Sequence, residues 1–162
     1  MRILGLDLAT NTGWAFIGDS VQVAGVQCFK AKFGESTGML FLKFASWLEE
    51  VATLPRYRPE LIAYEQAHQR GRAATQVCVG LVAHSLSFAA KHKIETYPVP
   101  SMTLKKWATG KGNAGKPEMI AAALGKFGLD CVPGFERKTT CDDNIADAWL
   151  LAQFAKEKFE TR

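Results

Sequence analysis

An aspartate interrupts the first apolar run of this chain. The segment Arg2-Ile3-Leu4-Gly5-Leu6-Asp7-Leu8 reads as a buried strand, and an ionised carboxylate inside it costs several kcal/mol unless something pairs with it. Asp7 therefore requires a cation, a network of donors, or a place at the open end of a sheet. Glu65 repeats the theme at the end of a second short apolar run, Leu61-Ile62-Ala63-Tyr64-Glu65. Taken singly, each acid also reads as a capped or solvated carboxylate. At the ends of two neighbouring strands they become the beginnings of a cation site.

A third set of acids opens the last amphipathic segment, Asp142-Asp143-Asn144-Ile145-Ala146-Asp147. Asp142 and Asp143 suit a helix N-terminus, where the dipole favours anions. That role does not explain Asp147, which lies beyond the first turn between Ala146 and Ala148 and needs a partner. Asp143 and Asp147 are four residues apart and share a helical face. Carboxylates drawn from separate strands and one helix are the donor set of a hard cation, Mg²⁺ or Mn²⁺. Two such ions about 4 Å apart activate a water and stabilise the leaving oxygen of a phosphodiester.

The intervening pattern predicts an α/β fold. After the first strand come a turn at Thr10–Gly13 and two more strands, Trp14–Ile17 and Val21–Phe29, joined at Gly18-Asp19. A helix capped by Ser36 runs to Thr53, followed by strand Leu61–Glu65 and a long helix over Arg72–Lys91. That helix is apolar nearly all round and is expected to be buried on more than one side. Strand Ile94–Val99, a short helix from Ser101 to Trp107, a glycine loop Thr109–Gly115, a helix with Pro117 at its first position, and a final helix Asp142–Glu157 complete the order. Three antiparallel strands followed by parallel ones give a mixed five-stranded sheet with helices on both faces. No linker or repeat divides residues 1–162, so one domain is expected.

Size and composition agree. The 162 residues are 48% hydrophobic and 22% charged, an ordinary globular balance. No apolar run reaches the roughly 20 residues that span a bilayer. The Met1–Leu6 segment is too short for a signal peptide. Cys28, Cys78, Cys131 and Cys141 show no C-x-x-C pairing and read as reduced thiols of a cytosolic protein. The formal net charge is +4, but from Lys91 to Lys116 six lysines face one acid, Glu95. That stretch reads either as a polyanion-binding surface or as a solvated face.

The segments RILGLDLATNTGWAFI, LIAYEQAHQRGRAATQ, KGNAGKPEMI and DNIADAWLLA, in this order and approximate spacing, resemble the RuvC-type Holliday-junction resolvases of the RNase H-like superfamily. The resemblance spans nearly the whole chain. It implies a cytoplasmic, homodimeric, Mg²⁺-dependent endonuclease, of a bacterial cell or a phage-infected one, that cuts opposed strands of a four-way DNA junction. Asp7, Glu65 and Asp147 fall on three of the family's four metal-site acids. Alignment on the A-D-A puts Asn144 at the fourth position, with Asp143 adjacent. Asp143 is taken as the ligand and Asn144 kept as the alternative. Lys116 and Lys105 fall on lysines that the resemblance places at or beside the scissile phosphate, and Lys111 lies between them in the glycine loop. A glycine-rich loop ending in lysine at a helix start also approaches phosphate closely on physical grounds. G-K-G-N-A-G-K is not a nucleotide-binding Walker loop, because Pro117 breaks the spacing. The resemblance puts His68, with Arg70 close by, in the loop that probes the junction core; the residue-level alternative is a solvated surface histidine. Trp107 reads as either packing or a base-stacking platform.

Other functions are weaker fits. An actin-like phosphotransferase shares the opening strand–Asp–turn pattern but needs two such domains to enclose a nucleotide. A relative that cuts flaps or forks would use the same acids. An inactive DNA-binding module would not need Asp7, Glu65 and Asp147 together.

Overall fold

The computed structural model describes residues 1–18, 20–66, 72–132, 135 and 142–161, without the side chains of 72, 73 and 142. His68, Arg70 and Cys141 lie outside the described residues. The strands are β1 (Ile3–Asp7), β2 (Asn11–Ile17), β3 (Gln22–Cys28), β4 (Leu61–Glu65) and β5 (Glu95–Val99). The helices are α1 (Gly38–Thr53), α2 (Arg72–His92), α3 (Ser101–Thr109), α4 (Lys116–Ala121) and α5 (Asp142–Glu160). A wider π turn over Ala122–Lys126 continues α4. The sheet order is β3-β2-β1-β4-β5, with β1, β2 and β3 antiparallel and β4 and β5 parallel to β1.

The expected turn at Thr10–Gly13 is shorter than the sequence suggested. Asn11, Thr12 and Gly13 already pair with β3, and the buried Thr12 hydroxyl closes the turn by donating to the Ala9 carbonyl at 2.6 Å. β4 matches its expected bounds, and Pro117 takes the second rather than the first position of α4.

Alternation along the strands sorts their side chains onto two faces. Ile3, Ala15, Ile17, Leu61, Ala63 and Val99 face α3, α4 and α5. Leu4, Leu6, Leu8, Ile62 and Tyr64 face α1 and α2. The mixed five-stranded sheet with helices on both faces is thus the observed architecture. Two strand glycines set how closely α5 approaches. A Cβ at Gly5 would overlap the carbonyl oxygen of Ala148, and one at Gly13 would overlap that of Asn144. The first turns of α5 therefore lie directly on the backbone of β1 and β2, which buries Trp149 to 1% exposure.

Helix α2 departs from expectation. Only one side is buried, through Leu81, Ser85, Phe88 and Ala89, and Gly80 admits the ring of Phe41 from α1. On the other side Val79 is 52% and Leu86 40% exposed, with Ala83 and Ala90 also in solvent. The apolar composition exceeds what one sheet face and α1 can cover. Trp107 is a packing residue: its ring stacks on Phe127 at 4.3 Å and its indole N–H donates to Glu157 at 2.9 Å.

Candidate active site

Parallel pairing fixes where the two strand acids stand. Leu6 is level with Tyr64 across β1 and β4, so Asp7 and Glu65, the next residue of each strand, emerge side by side at one end of the sheet. Asp7 is also level with Gly13, the residue on which Asn144 rests. The backbone contact at Gly13 therefore brings the start of α5 to the same end. One helical turn on, Asp147 faces inward and is partly buried.

The electrostatics tie these acids together. The Asp147 carboxyl is pushed up from 3.8 to about 7, first by burial and then by the charges of Glu65 and Asp143, with Lys105 and Lys116 opposing. Asp143 moves the other way. Its carboxylate accepts a short hydrogen bond from the Lys116 ammonium, which holds it below the ordinary carboxylate value. Lys116 is raised in turn, chiefly by Asp143 and further by Asp147 and Asp7. Each of Asp7, Glu65, Asp143, Asp147, Lys105 and Lys116 thus feels at least one other of the set.

The six lysines between Lys91 and Lys116 do not form one surface. Lys91 pairs with Glu49 at 2.8 Å, at the end of α2 that leads into the start of β5. That is the opposite end of the sheet from Asp7 and Glu65. Beyond β5 the chain returns to the acid end, because Val99 is level with Glu65. From there α3 presents Lys105. Gly110, in the left-handed conformation with φ of 83°, ends α3, and its N–H donates to the Lys106 carbonyl at 2.8 Å. Glu118 accepts from the Gly115 N–H at 2.7 Å and fixes the start of α4, where Lys116 is the first residue. Lys111 leans on Glu118 at 3.5 Å rather than on the acids.

Of the two possibilities at the start of α5, Asp143 faces Lys116 and adds to the pressure on Asp147, while Asn144 packs its backbone on Gly13. The sequence reading passed over Gly5 and Gly13 as positioning residues. Isolated glycines inside strand patterns are the signal for such close approaches.

All four acids offer hard oxygen donors, the set that Mg²⁺ or Mn²⁺ takes. Among the described residues no three such side chains are drawn together closely enough to enclose an ion. The donor chemistry nevertheless fits a divalent cation, whose charge would relieve the pressure that burial, Glu65 and Asp143 place on Asp147.

No protein-family profile matches the sequence, and no curated protein matches it. Solved structures do. The chain is similar to T. thermophilus RuvC in complex with a Holliday junction substrate, at 20% identity and a TM-score of 0.72, covering 98% of this chain and 96% of that one. A second Thermus thermophilus RuvC structure matches at 21% identity and a TM-score of 0.66, covering 98% and 97%. The fold of this chain is that of RuvC, from end to end.

Proposed function

We propose that the protein is a divalent-metal-dependent endonuclease that resolves four-way DNA junctions. The observation that carries this reading is the convergence at Asp147. A partly buried carboxyl, lifted to about 7 by desolvation and by Glu65 and Asp143, is flanked by Lys105 and Lys116. Burial and two like-charged neighbours both raise this carboxyl, and a divalent cation held among the same acids would offset both. The RuvC fold and the junction bound by that neighbour supply the substrate class.

In this reading Asp7, Glu65, Asp143 and Asp147 hold Mg²⁺ or Mn²⁺. When bound, the metal lowers the pKa of a water and neutralises charge on the phosphate. The chain's own part is to seat the scissile phosphate. Lys116 exchanges its Asp143 contact for a phosphate oxygen, Lys105 steadies the same group, and Lys111 with His68 and Arg70 contact flanking DNA. No nucleotide cofactor is required. Two opposed cuts need two active sites, so the enzyme acts as a C2 homodimer. The uncovered face of α2, with Val79, Ala83, Leu86 and Ala90, is the interface.

Cleavage of a synthetic four-way junction with Mg²⁺, beside a flap and a linear duplex, tests the reading. Paired symmetric nicks in the junction support it. Preferential flap cutting would reassign the substrate, and no cutting of any branched DNA would overturn the reading.

A further inference from the structure

One aromatic side chain stands wholly in solvent on a segment that is not loose. Phe33 is fully exposed, while the next most exposed large apolar residue among those described, Met102, reaches 71%. The turn that carries Phe33, between β3 and α1, is tied internally. The Glu35 carboxylate accepts from the Lys32 backbone N–H at 2.7 Å and from the Lys43 ammonium at 2.8 Å. Lys43 also reaches the Lys30 carbonyl at 3.3 Å, and the Glu35 N–H donates to the Lys32 carbonyl at 3.0 Å. Gly34, with φ of +84°, makes the reversal that other residues resist. A fixed turn thus presents the ring outward, preceded by the exposed Lys30 and Lys32.

Strand register locates the start of the segment that carries this turn. Cys28 is level with Asn11, and the Phe29 N–H donates to the Thr10 carbonyl at 2.9 Å. The chain therefore leaves β3 at the same end of the sheet as Asp7, two strands across, about 10 Å by ordinary strand spacing. An exposed π face with two exposed ammonium groups on the same short segment complements a nucleotide, with the ring meeting a base and the lysines its phosphates. In continuous duplex both faces of every base are covered by neighbours. Only an unpaired or unstacked base has a face to offer.

We propose that Phe33 stacks on an unstacked base of the DNA strand crossing the acid end of the sheet, with Lys30 and Lys32 on the adjoining phosphates. The proposal rests on the branched-DNA reading above and adds a base-stacking contact outside the acid cluster.

Binding of the full chain in EDTA, where nothing is cut, tests it by fluorescence anisotropy with a four-way junction, a single-stranded oligonucleotide and a blunt duplex. Phe33→Ala should weaken binding to the junction and the single strand by roughly 5- to 100-fold, the range of one base–aromatic stack. Duplex affinity should change by less than about twofold. Phe33→Trp should retain the wild-type preference, and thermal melting should be unaltered in both variants. The double variant Lys30→Ala, Lys32→Ala should weaken all three ligands and flatten the salt dependence by about two counterions. Phe33→Ala binding the junction as wild type does, or losing duplex affinity equally, overturns the proposal. So does a loss confined to phosphatidylserine vesicles, which would assign Phe33 to a lipid surface. If wild type binds and cuts junctions while Phe33→Ala is unaffected, this inference alone falls. If wild type binds no branched DNA, the nuclease reading falls with it.

Discussion

At Asp147 burial and neighbouring charge act in the same direction, and both consequences are measurable. Its carboxyl is raised from 3.8 to about 7, so the folded state holds a proton that the unfolded chain releases between those values. Raised acid pKa values cost stability above the unfolded pKa. The penalty is absent below about pH 4, grows as pH rises, and is complete above pH 7. One pKa unit corresponds to about 1.4 kcal/mol, which sets a ceiling on the order of 4 kcal/mol for the metal-free protein. Asp147→Asn should therefore raise the melting temperature in EDTA at pH 8, with a gain that shrinks toward zero at pH 4. Mg²⁺ should stabilise wild type by mass action and leave Asp147→Asn little changed. A gain over wild type of the same size at both pH values would remove the electrostatic account of this residue. Asp143 carries the opposite shift because Lys116 sits on it. That difference between two acids one helical turn apart was not legible in the sequence, since it depends on a lysine 27 residues earlier in the chain. That these acids would need partners was legible, because a carboxylate inside I-L-G-L-D-L and one flanked by alanines beyond a helix's first turn both sit in apolar surroundings.

Helix α5 is positioned by backbone contact, and its placement depends on residues without side chains. At Gly13 a methyl group would meet the Asn144 carbonyl, and at Gly5 that of Ala148. Gly13→Ala should push the first turn of α5 off β2, destabilising the protein by about 1–3 kcal/mol, the usual cost of overpacking. It should also lower cleavage at least tenfold, because Asp143 and Asp147 move with the helix. Retained activity in a destabilised variant would show that the acids tolerate the shift. The strands and helices themselves were readable, β4 to the residue, because period-two runs and helix-stop signals agree with the final packing. The basic stretch, left open in the sequence between a polyanion surface and a solvated face, divides in space for a physical reason. Charge was counted along the chain, but the sheet crosses between its two ends within β5, leaving Lys91 at one end and Lys105, Lys111 and Lys116 at the other. Lys116→Ala should therefore reduce the cleavage rate and flatten the salt dependence of DNA binding by about one counterion. Lys91→Ala should alter neither.

Across the molecule, the described residues leave the face of α2 that holds Val79 and Leu86 without a cover. Val79 and Leu86 are exposed on α2, a helix whose composition predicted burial on more than one side. If a second copy covers that face, Leu86→Lys should turn a dimer into a monomer in light scattering at micromolar concentration. The variant should then nick a junction in one strand without the paired second cut. A monomeric wild type would overturn the dimer. In the proposed function the acids at the ends of β1 and β4 and on α5 form one metal-dependent centre for branched DNA. The most direct measurement places wild type, Asp7→Asn, Glu65→Gln and Asp147→Asn on the same labelled four-way junction with and without Mg²⁺. Wild type is expected to make paired cuts only with metal, and each variant to lose cleavage while binding the junction within a few-fold of wild type, since affinity comes mostly from phosphate contacts. Near wild-type cleavage by Asp147→Asn, or wild-type cleavage that persists in EDTA, would contradict it.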